Sequence, residues 1–379
     1  MQLSSGATFV SAVGGSGNDV HTGNALANVL ADFGGNDTPN GADGSDSLLG
    51  GKGDDTYLFG PAALLEVEKV TEWSNQGTDT LDFSALSDAV TINAGSIAVQ
   101  NVHTNRTIQL VSAITLENII GGSANDELRG NMLANTITGS DGDDRILGVE
   151  GNDVLIGGLS NDRYVFATAT TAETDSVTEL PGQGADSLSF AALTTSVTVD
   201  LASDSAQAVH TNRTLQLSSG TTVEIVLGGS ASDLLLGNTL PNHLVGNDGD
   251  DVLVGRDSND ILEGGAGRDI LIGGLGSDTL SGGDEDDILV AGHTLSDVII
   301  AQLIDLQTEW VSANTYSTRI TNLRAGVGAS LASLQAGINV LDDSAAIDTL
   351  TGDAGTDWYL RALDDVITDL FAGETIDLL

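Results

Sequence analysis

The chain of 379 residues contains no cysteine, so disulfide staples and thiolate chemistry are both closed to it. Basic residues are scarce: 12 Lys and Arg stand against 55 Asp and Glu, a formal charge of −43. A field of that sign repels nucleic acid and anionic membrane surfaces. Three Trp and four Tyr leave little aromatic surface to stack against a sugar, so glycan binding ranks low among the ligands to expect. No apolar run approaches the ~18 residues of a membrane span. The opening MQLSSGATFV has neither the basic n-region nor the apolar h-region of a secretory leader, and none is expected. None of the five His lies in H-E-x-x-H and no Ser in G-x-S-x-G, so the marks of a zinc protease centre and of a hydrolase elbow are missing. No catalytic role is expected of the chain.

What abounds is glycine, 48 residues, set in a nine-residue phrase G-G-x-G-x-D-x-U-x with U a large apolar residue. The phrase keeps phase through three blocks: 14–58 (GGSGNDVHT, GGKGDDTYL), 121–165 (GSDGDDRIL, GVEGNDVLI) and 228–290 (GGAGRDILI, GGLGSDTLS). Six places suit a turn and three a short strand. Glycine at the first, second and fourth places admits positive φ at little cost, which lets carbonyl oxygens converge beside the sixth-place aspartate. A hard cation such as Ca²⁺ takes about six to eight oxygens, more than one loop supplies. Two stacked loops suffice. If nonapeptides alternate between two sides of a flattened coil, the carboxylates sharing an ion stand eighteen residues apart, as Asp251 and Asp269 do. The eighth-place Leu253, Leu262, Leu271, Leu280 and Leu289 then turn inward.

The competing reading is a metal-free solenoid whose aspartates only cap turns. Against it, rows of unneutralised carboxylates repel one another, and the acidic excess reads as a deficit for bound cations to meet. The second nonapeptide of each block puts Asn28, Asn135 or Asn242 at the metal position, and those sites are expected weak or empty. His21 and Pro39 stand where an inward apolar residue belongs, which makes the first block the least regular.

The blocks themselves repeat. GGSGND at Gly14, GGSAND at Gly121 and GGSASD at Gly228 give a 107-residue period, the mark of stacked units. VHTNRT recurs at Val102 and Val209; its His103, His210, Arg106 and Arg213 are read as positions inherited with the unit. The inserts 59–120 and 166–227 are strand-rich, as in SVTVDLAS from Ser196, where apolar and polar residues alternate. They are expected to continue the solenoid as wider coils, a separate small sandwich being the alternative. Residues 1–13 match the ends of the later units and are expected to be the tail of a preceding one. Past Val290, Ser296 to Val311 reads as an amphipathic helix capped by Ser296 or Asp297, suited to cover the solenoid's open end. A closing pair of repeats with GDAGTDWYL and an acidic, apolar tail complete a C-terminal cap over 291–379.

The nonapeptides, the GNALANVL variant and the acidic tail resemble the bacterial RTX (repeats-in-toxin, haemolysin-type) calcium-binding repeat proteins. The resemblance implies an all-β fold, a right-handed parallel β-roll with multiple Ca²⁺ between adjacent loops. It also implies export by a type I secretion apparatus that reads an uncleaved C-terminal signal, and folding outside the cell. An extracellular location is expected. Carried onto this sequence, the metal positions are Asp19, Asp37, Asp46 and Asp55; Asp126, Asp144, Asp153 and Asp162; and Asp233, Asp251, Asp260, Asp269, Asp278 and Asp287. The inserts and the long period look more like a modular surface protein than a plain toxin tail. The preferred expectation is a non-catalytic, calcium-folded structural or adhesive segment of a large secreted protein. The alternative is the C-terminal folding and export module of a secreted enzyme (protease, lipase or polysaccharide-modifying) with its catalytic domain upstream.

Overall fold

The computed structural model describes residues 10–73, 76–218, 222–330, 332–343 and 346–379. Two compact units divide the chain: 1–186 with 211–222, and 187–210 with 223–379. Of the expected preceding tail, 1–13, residues 1–9 lie outside the described residues.

In both units the last three places of a nonapeptide open a short strand whose middle side chain points inward. In the first unit Val29–Ala31 lies parallel between Ser11–Val13 and Ser47–Leu49, with Val29 opposite Ser11 and Ser47. That is the eighteen-residue step the turn pattern predicts, and Thr136–Asp141 against Val154–Leu159 repeats it. In the second unit Leu234–Leu236, Val252–Asp257, Ile270–Leu275 and Ile288–Val290 share one parallel sheet. The alternate strands Ile225–Leu227, His243–Asp248, Ile261–Ala266 and Thr279–Asp284 share another. Leu253, Leu262, Leu271, Leu280 and Leu289 are all fully buried between them, each contributing about 1.5–3 kcal/mol of transfer free energy. His21 and Pro39 sit opposite each other in Val20–Thr22 and Thr38–Asn40. The buried His21 ring is matched by a carboxylate, Asp32, at 2.7 Å, so this inward position is polar by pairing.

The inserts continue the parallel sheets with longer returns. Thr80–Asp82 pairs with Thr56–Leu58 across 24 residues, and Glu66–Thr71 lies between Ser47–Leu49 and Arg106–Leu110. In the same way Glu173–Thr178 lies between Val154–Leu159 and Arg213–Leu217, and Thr198–Asp200 pairs with Leu234–Leu236. Aromatic rings fill the wider coil, Phe59 stacking on Phe83 at 5.0 Å. The first VHTNRT copy is the tight turn of an antiparallel pair, Gln100–His103 with Arg106–Leu110, and Asn105 takes φ 65° there.

Beyond Val290 the expected helix forms as α1, Ile300–Trp310, without a side-chain cap. Asp297 instead accepts hydrogen bonds from Thr294, its backbone N–H at 2.7 Å among them. A second helix that the sequence reading did not anticipate, α2, spans Tyr316–Ala325 and is capped by Thr315. The pair does not close the solenoid's end. Leu303, Leu306, Trp310, Ile320 and Leu323 pack in one cluster with Leu236, Val254, Ile272, Val290 and Leu360, the outward side chains of one sheet. Strands reading LLL, VLV, ILI and ILV are apolar on both faces, and the helices cover the face that would otherwise meet water. After them Thr349–Ala354 and Trp358–Arg361 rejoin the two sheets 70 residues on, beside Thr279–Asp284 and Ile288–Val290.

Candidate metal centres

The turn needs glycine for two different reasons. At the fourth place, Gly267 takes φ 130°, a conformation that a Cβ penalises. At the first place the φ is ordinary and the constraint is room. A Cβ on Gly246 would strike the Asp251 Oδ2 atom and the carbonyl oxygen of Gly264. Positive φ at all three glycines, as the sequence reading had it, is therefore corrected: the first glycine leaves a cradle between a carboxylate and a same-side carbonyl.

The sixth-place aspartates form hydrogen-bonded columns at the eighteen-residue step. The backbone N–H of Asp233 donates to Asp251 Oδ1 at 2.6 Å, that of Asp251 to Asp269 at 2.7 Å and that of Asp269 to Asp287 at 2.8 Å. On the other side Asn242, Asp260 and Asp278 do the same. Asp19, Asp37 and Asp55 form a column in the first unit, as do Asp126, Asp144 and Asp162; Asp46 and Asp153 receive the N–H of Asn28 and Asn135. One oxygen of each aspartate is thus fixed. The other, Oδ2 of Asp37, Asp46, Asp55, Asp144, Asp153, Asp251, Asp260, Asp269, Asp278 and Asp287, is buried with no hydrogen-bond partner among the described residues. Such an atom costs about 1–3 kcal/mol or more if left so. In the absence of a cation, burial pushes Asp269 up to about 8, and burial with the neighbouring Asp269 charge pushes Asp251 to about 9 and Asp287 to about 10.

Not every predicted position is alike. The first aspartate of each block is satisfied by its own turn. Asp19, Asp126 and Asp233 accept from the N–H of Gly15, Gly122 and Gly229 through Oδ2, and Asp126 and Asp233 accept from Val90 and Val197 through Oδ1. The asparagine turns differ in kind from the aspartate ones. Asn135 Oδ1 accepts from Asn131, while its amide nitrogen donates to the carbonyls of Leu116 and Glu117; Asn242 likewise bonds Asn238 and Glu224. The uncharged Oδ1 of Asn28, Asn135 and Asn242 lines the cradle at Gly23, Gly130 and Gly237, where the aspartate turns present a carboxylate oxygen. The columns also run on into residues the sequence reading passed over: Asp79 and Asp186, each 24 residues on, and Asp348 and Asp357, each 70 residues on. Each sits two places before a buried apolar or aromatic residue, as the repeat requires, and that was the available signal.

The recurring VHTNRT carries a second missed feature. Arg106 is buried against Glu66 and Glu68 and lies over the Phe59 ring at 5.7 Å. Arg213 is buried against Glu173 at 2.5 Å and against Asp175, and lies over Phe166 at 5.2 Å. Asp153, at the end of its column, donates its N–H to Asp175. Arg213 thus closes its carboxylate column with a covalently attached cation. His103 meets Asp88, at 3.2 Å.

The sequence profile of the RTX calcium-binding nonapeptide repeat matches residues 32–61, 227–262, 236–271, 263–292 and 335–363. The profile of the peptidase M10 serralysin C terminal matches 63–181, most of the first insert, the second block and the start of the second insert. Serralysins of Photorhabdus laumondii and Photorhabdus luminescens are each 38% identical over 68 residues, 18% of this chain and 14% of theirs. The metalloprotease AprA of Pseudomonas entomophila is 36% identical over 66 residues, 17% of this chain and 14% of its own. The matched stretch is a small part of each of these proteins. No helix among the described residues is long and apolar enough to cross a membrane.

Proposed function

We propose, for a chain built on RTX calcium-binding nonapeptide repeats, that it is a calcium-folded, non-catalytic structural or adhesive segment of a secreted bacterial protein. The observation that carries this reading is the column of buried aspartates with one oxygen fixed and the other unpartnered. The donor set fits a hard cation: carboxylate and glycine carbonyl oxygens, with no sulfur or imidazole. Asp37, Asp46, Asp55, Asp144, Asp153, Asp162, Asp251, Asp260, Asp269, Asp278 and Asp287 are the proposed ligands. Bound between same-side loops, Ca²⁺ would supply the positive charge that lets stacked carboxylates ionise together. The asparagine turns, whose amide oxygen brings no charge to the cradle, are proposed to stay metal-free, and Asp19, Asp126 and Asp233 to serve the backbone of their own turns.

Such sites exist only in the coiled chain, so binding free energy becomes folding free energy. Secretion through a type I apparatus, with its signal in the last segment, follows from the same reading and is part of the proposal. The likeness to serralysins favours a second reading, the C-terminal module of a secreted protease, and the parent reading frame separates the two: further repeat units support the first, an H-E-x-x-H centre the second. Equilibrium dialysis against Ca²⁺ tests the ligand assignment. Several ions per chain, undiminished by excess Mg²⁺, are expected. One ion or none would end the calcium reading.

A further inference from the structure

Two turns gather three carboxylates where the repeat supplies two. At the first-place glycines Gly139 and Gly246, the cradle is lined by an aspartate and by the carbonyl of the next same-side glycine. At Gly50 and Gly157 the second oxygen is instead a glutamate's: Glu72 Oε1 beside Asp55, and Glu179 Oε1 beside Asp162. The columns continue, Asp55 N–H donating to Asp79 Oδ1 at 2.9 Å and Asp162 N–H to Asp186 Oδ1 at 2.8 Å. The oxygens of Asp55, Glu72 and Asp79 lie within 4.8 Å of one another, and so do those of Asp162, Glu179 and Asp186. All six residues are at most 2% exposed.

The glutamates are aimed. The fully buried Tyr57 hydroxyl donates to Glu72 Oε1 and the Tyr164 hydroxyl to Glu179 Oε1. The remaining oxygen of each glutamate, Oε2, is buried with no hydrogen-bond partner among the described residues, as is Oδ2 of Asp55. No lysine or arginine among the described residues pairs with Asp55, Glu72 or Asp79. Three negative charges therefore converge on a space whose free oxygens face one another. The spacing is shared: Asp-x-Tyr, then Glu fifteen residues after the Tyr, at Asp55, Tyr57 and Glu72 and again at Asp162, Tyr164 and Glu179. The same spacing recurs at Asp357, Tyr359 and Glu374, where Glu374 is only half-buried.

We propose that Glu72 and Glu179 are cation ligands, each completing a three-carboxylate Ca²⁺ site where a nonapeptide block passes into its insert, and that these two sites are the tightest in the chain. The inference rests on the calcium reading of the repeats. Calcium affinity rises with the number of charged ligands and with the rigidity of the site, and here both exceed the ordinary turn: a carboxylate replaces a carbonyl, and a tyrosine fixes it. Tyr57 and Tyr164 are positioning residues.

Calcium titration calorimetry on the full chain tests this. The parent should show a tight class of two ions ahead of the weaker majority. Glu72→Gln and Glu179→Gln should each remove one tight ion and together both, leaving the majority in place. Tyr57→Phe, which keeps every carboxylate, should weaken one tight ion by about 10- to 100-fold, as loss of an orienting partner does, with the total bound unchanged. If the glutamine variants kept both tight ions, the glutamates would be hydrogen-bonded structural groups and the proposal would fall. A parent that bound no calcium would instead overturn the reading beneath it. Europium(III) excitation spectra of the unmutated chain, which separate sites by the summed charge of their ligands, need no variant to fold. Two equivalents should fill a distinct band first; one band throughout the titration would count against the extra carboxylate.

Discussion

Asp269→Asn separates the charge of one carboxylate from its shape. Asp269 is fully buried; its Oδ1 accepts from the Asp251 N–H at 2.7 Å, and its own N–H donates to Asp287 at 2.8 Å. Asparagine keeps both bonds. It loses the charged Oδ2 that faces the Gly264 cradle and sets an amide N–H₂ in its place, which cannot ligate a cation. A contact to a charged group contributes about 1.5–3 kcal/mol, and about 1.4 kcal/mol is tenfold in a binding constant. The turn's calcium affinity should therefore drop by roughly 10- to 100-fold. The natural comparison is Asn28→Ala. Asn28 accepts from the Asn24 N–H at 2.7 Å, so its truncation strands a buried donor, costing about 1–3 kcal/mol whatever the calcium concentration. Dialysis should then find fewer ions on Asp269→Asn at a calcium level that saturates the parent, and as many as the parent on Asn28→Ala. If Asn28→Ala lost an ion and Asp269→Asn did not, the ligand assignment would be refuted.

Three further outcomes follow from the same geometry. Arg213→Met leaves Glu173 and Asp175 buried without their partner, so thermal unfolding in saturating calcium should show a loss of about 3–5 kcal/mol, with the number of bound ions unchanged. In calcium-free buffer the buried Asp251, Asp269 and Asp287 sit at about 9, 8 and 10 against ~3.9 in an unfolded chain; the folded state holds more protons across that window, so its stability falls as pH rises from ~4 to ~8, and circular dichroism should show strand content recovering on acidification from neutral pH. Truncation after Val290 uncovers Val254, Ile272 and Val290 beneath the helices, which should raise the calcium needed to fold the third block, and a secretion assay with a cognate type I exporter should show export lost.

The roll was legible because its information is local and periodic. The turn glycines, the sixth-place aspartates and Leu253 or Leu271 declare phase, and phase fixes both the alternation of sheets and the eighteen-residue register seen in Val252 against Ile270. What lies between the periods was harder to read. Arg106 meets Glu66 across 40 residues, and nothing in VHTNRT alone says which carboxylates it will face. Glu72 and Glu179 lie outside the nonapeptides, and only their shared distance from Tyr57 and Tyr164 marks them. α2 has too weak an apolar stripe for its sequence, YSTRITNLRA, to read as a helix, and forms because Ile320 and Leu323 reach a prepared surface. That surface was written in the sequence all the same. Val254, Ile272 and Val290 stand at ninth places that carry Glu263 and Ser281 in the alternate strands, a contrast that calls for a cover on one face only.

The fold is held to depend on a cation because its aspartate columns bury charge that the chain's own basic residues do not offset. Far-ultraviolet circular dichroism of the full chain, in chelator and then in millimolar Ca²⁺ near neutral pH, measures that dependence directly. The columns predict a largely disordered spectrum in chelator and a cooperative gain of strand signal on adding calcium, reversed by chelation and not reproduced by equal Mg²⁺. A strand spectrum that is already complete in chelator and unmoved by calcium would contradict it.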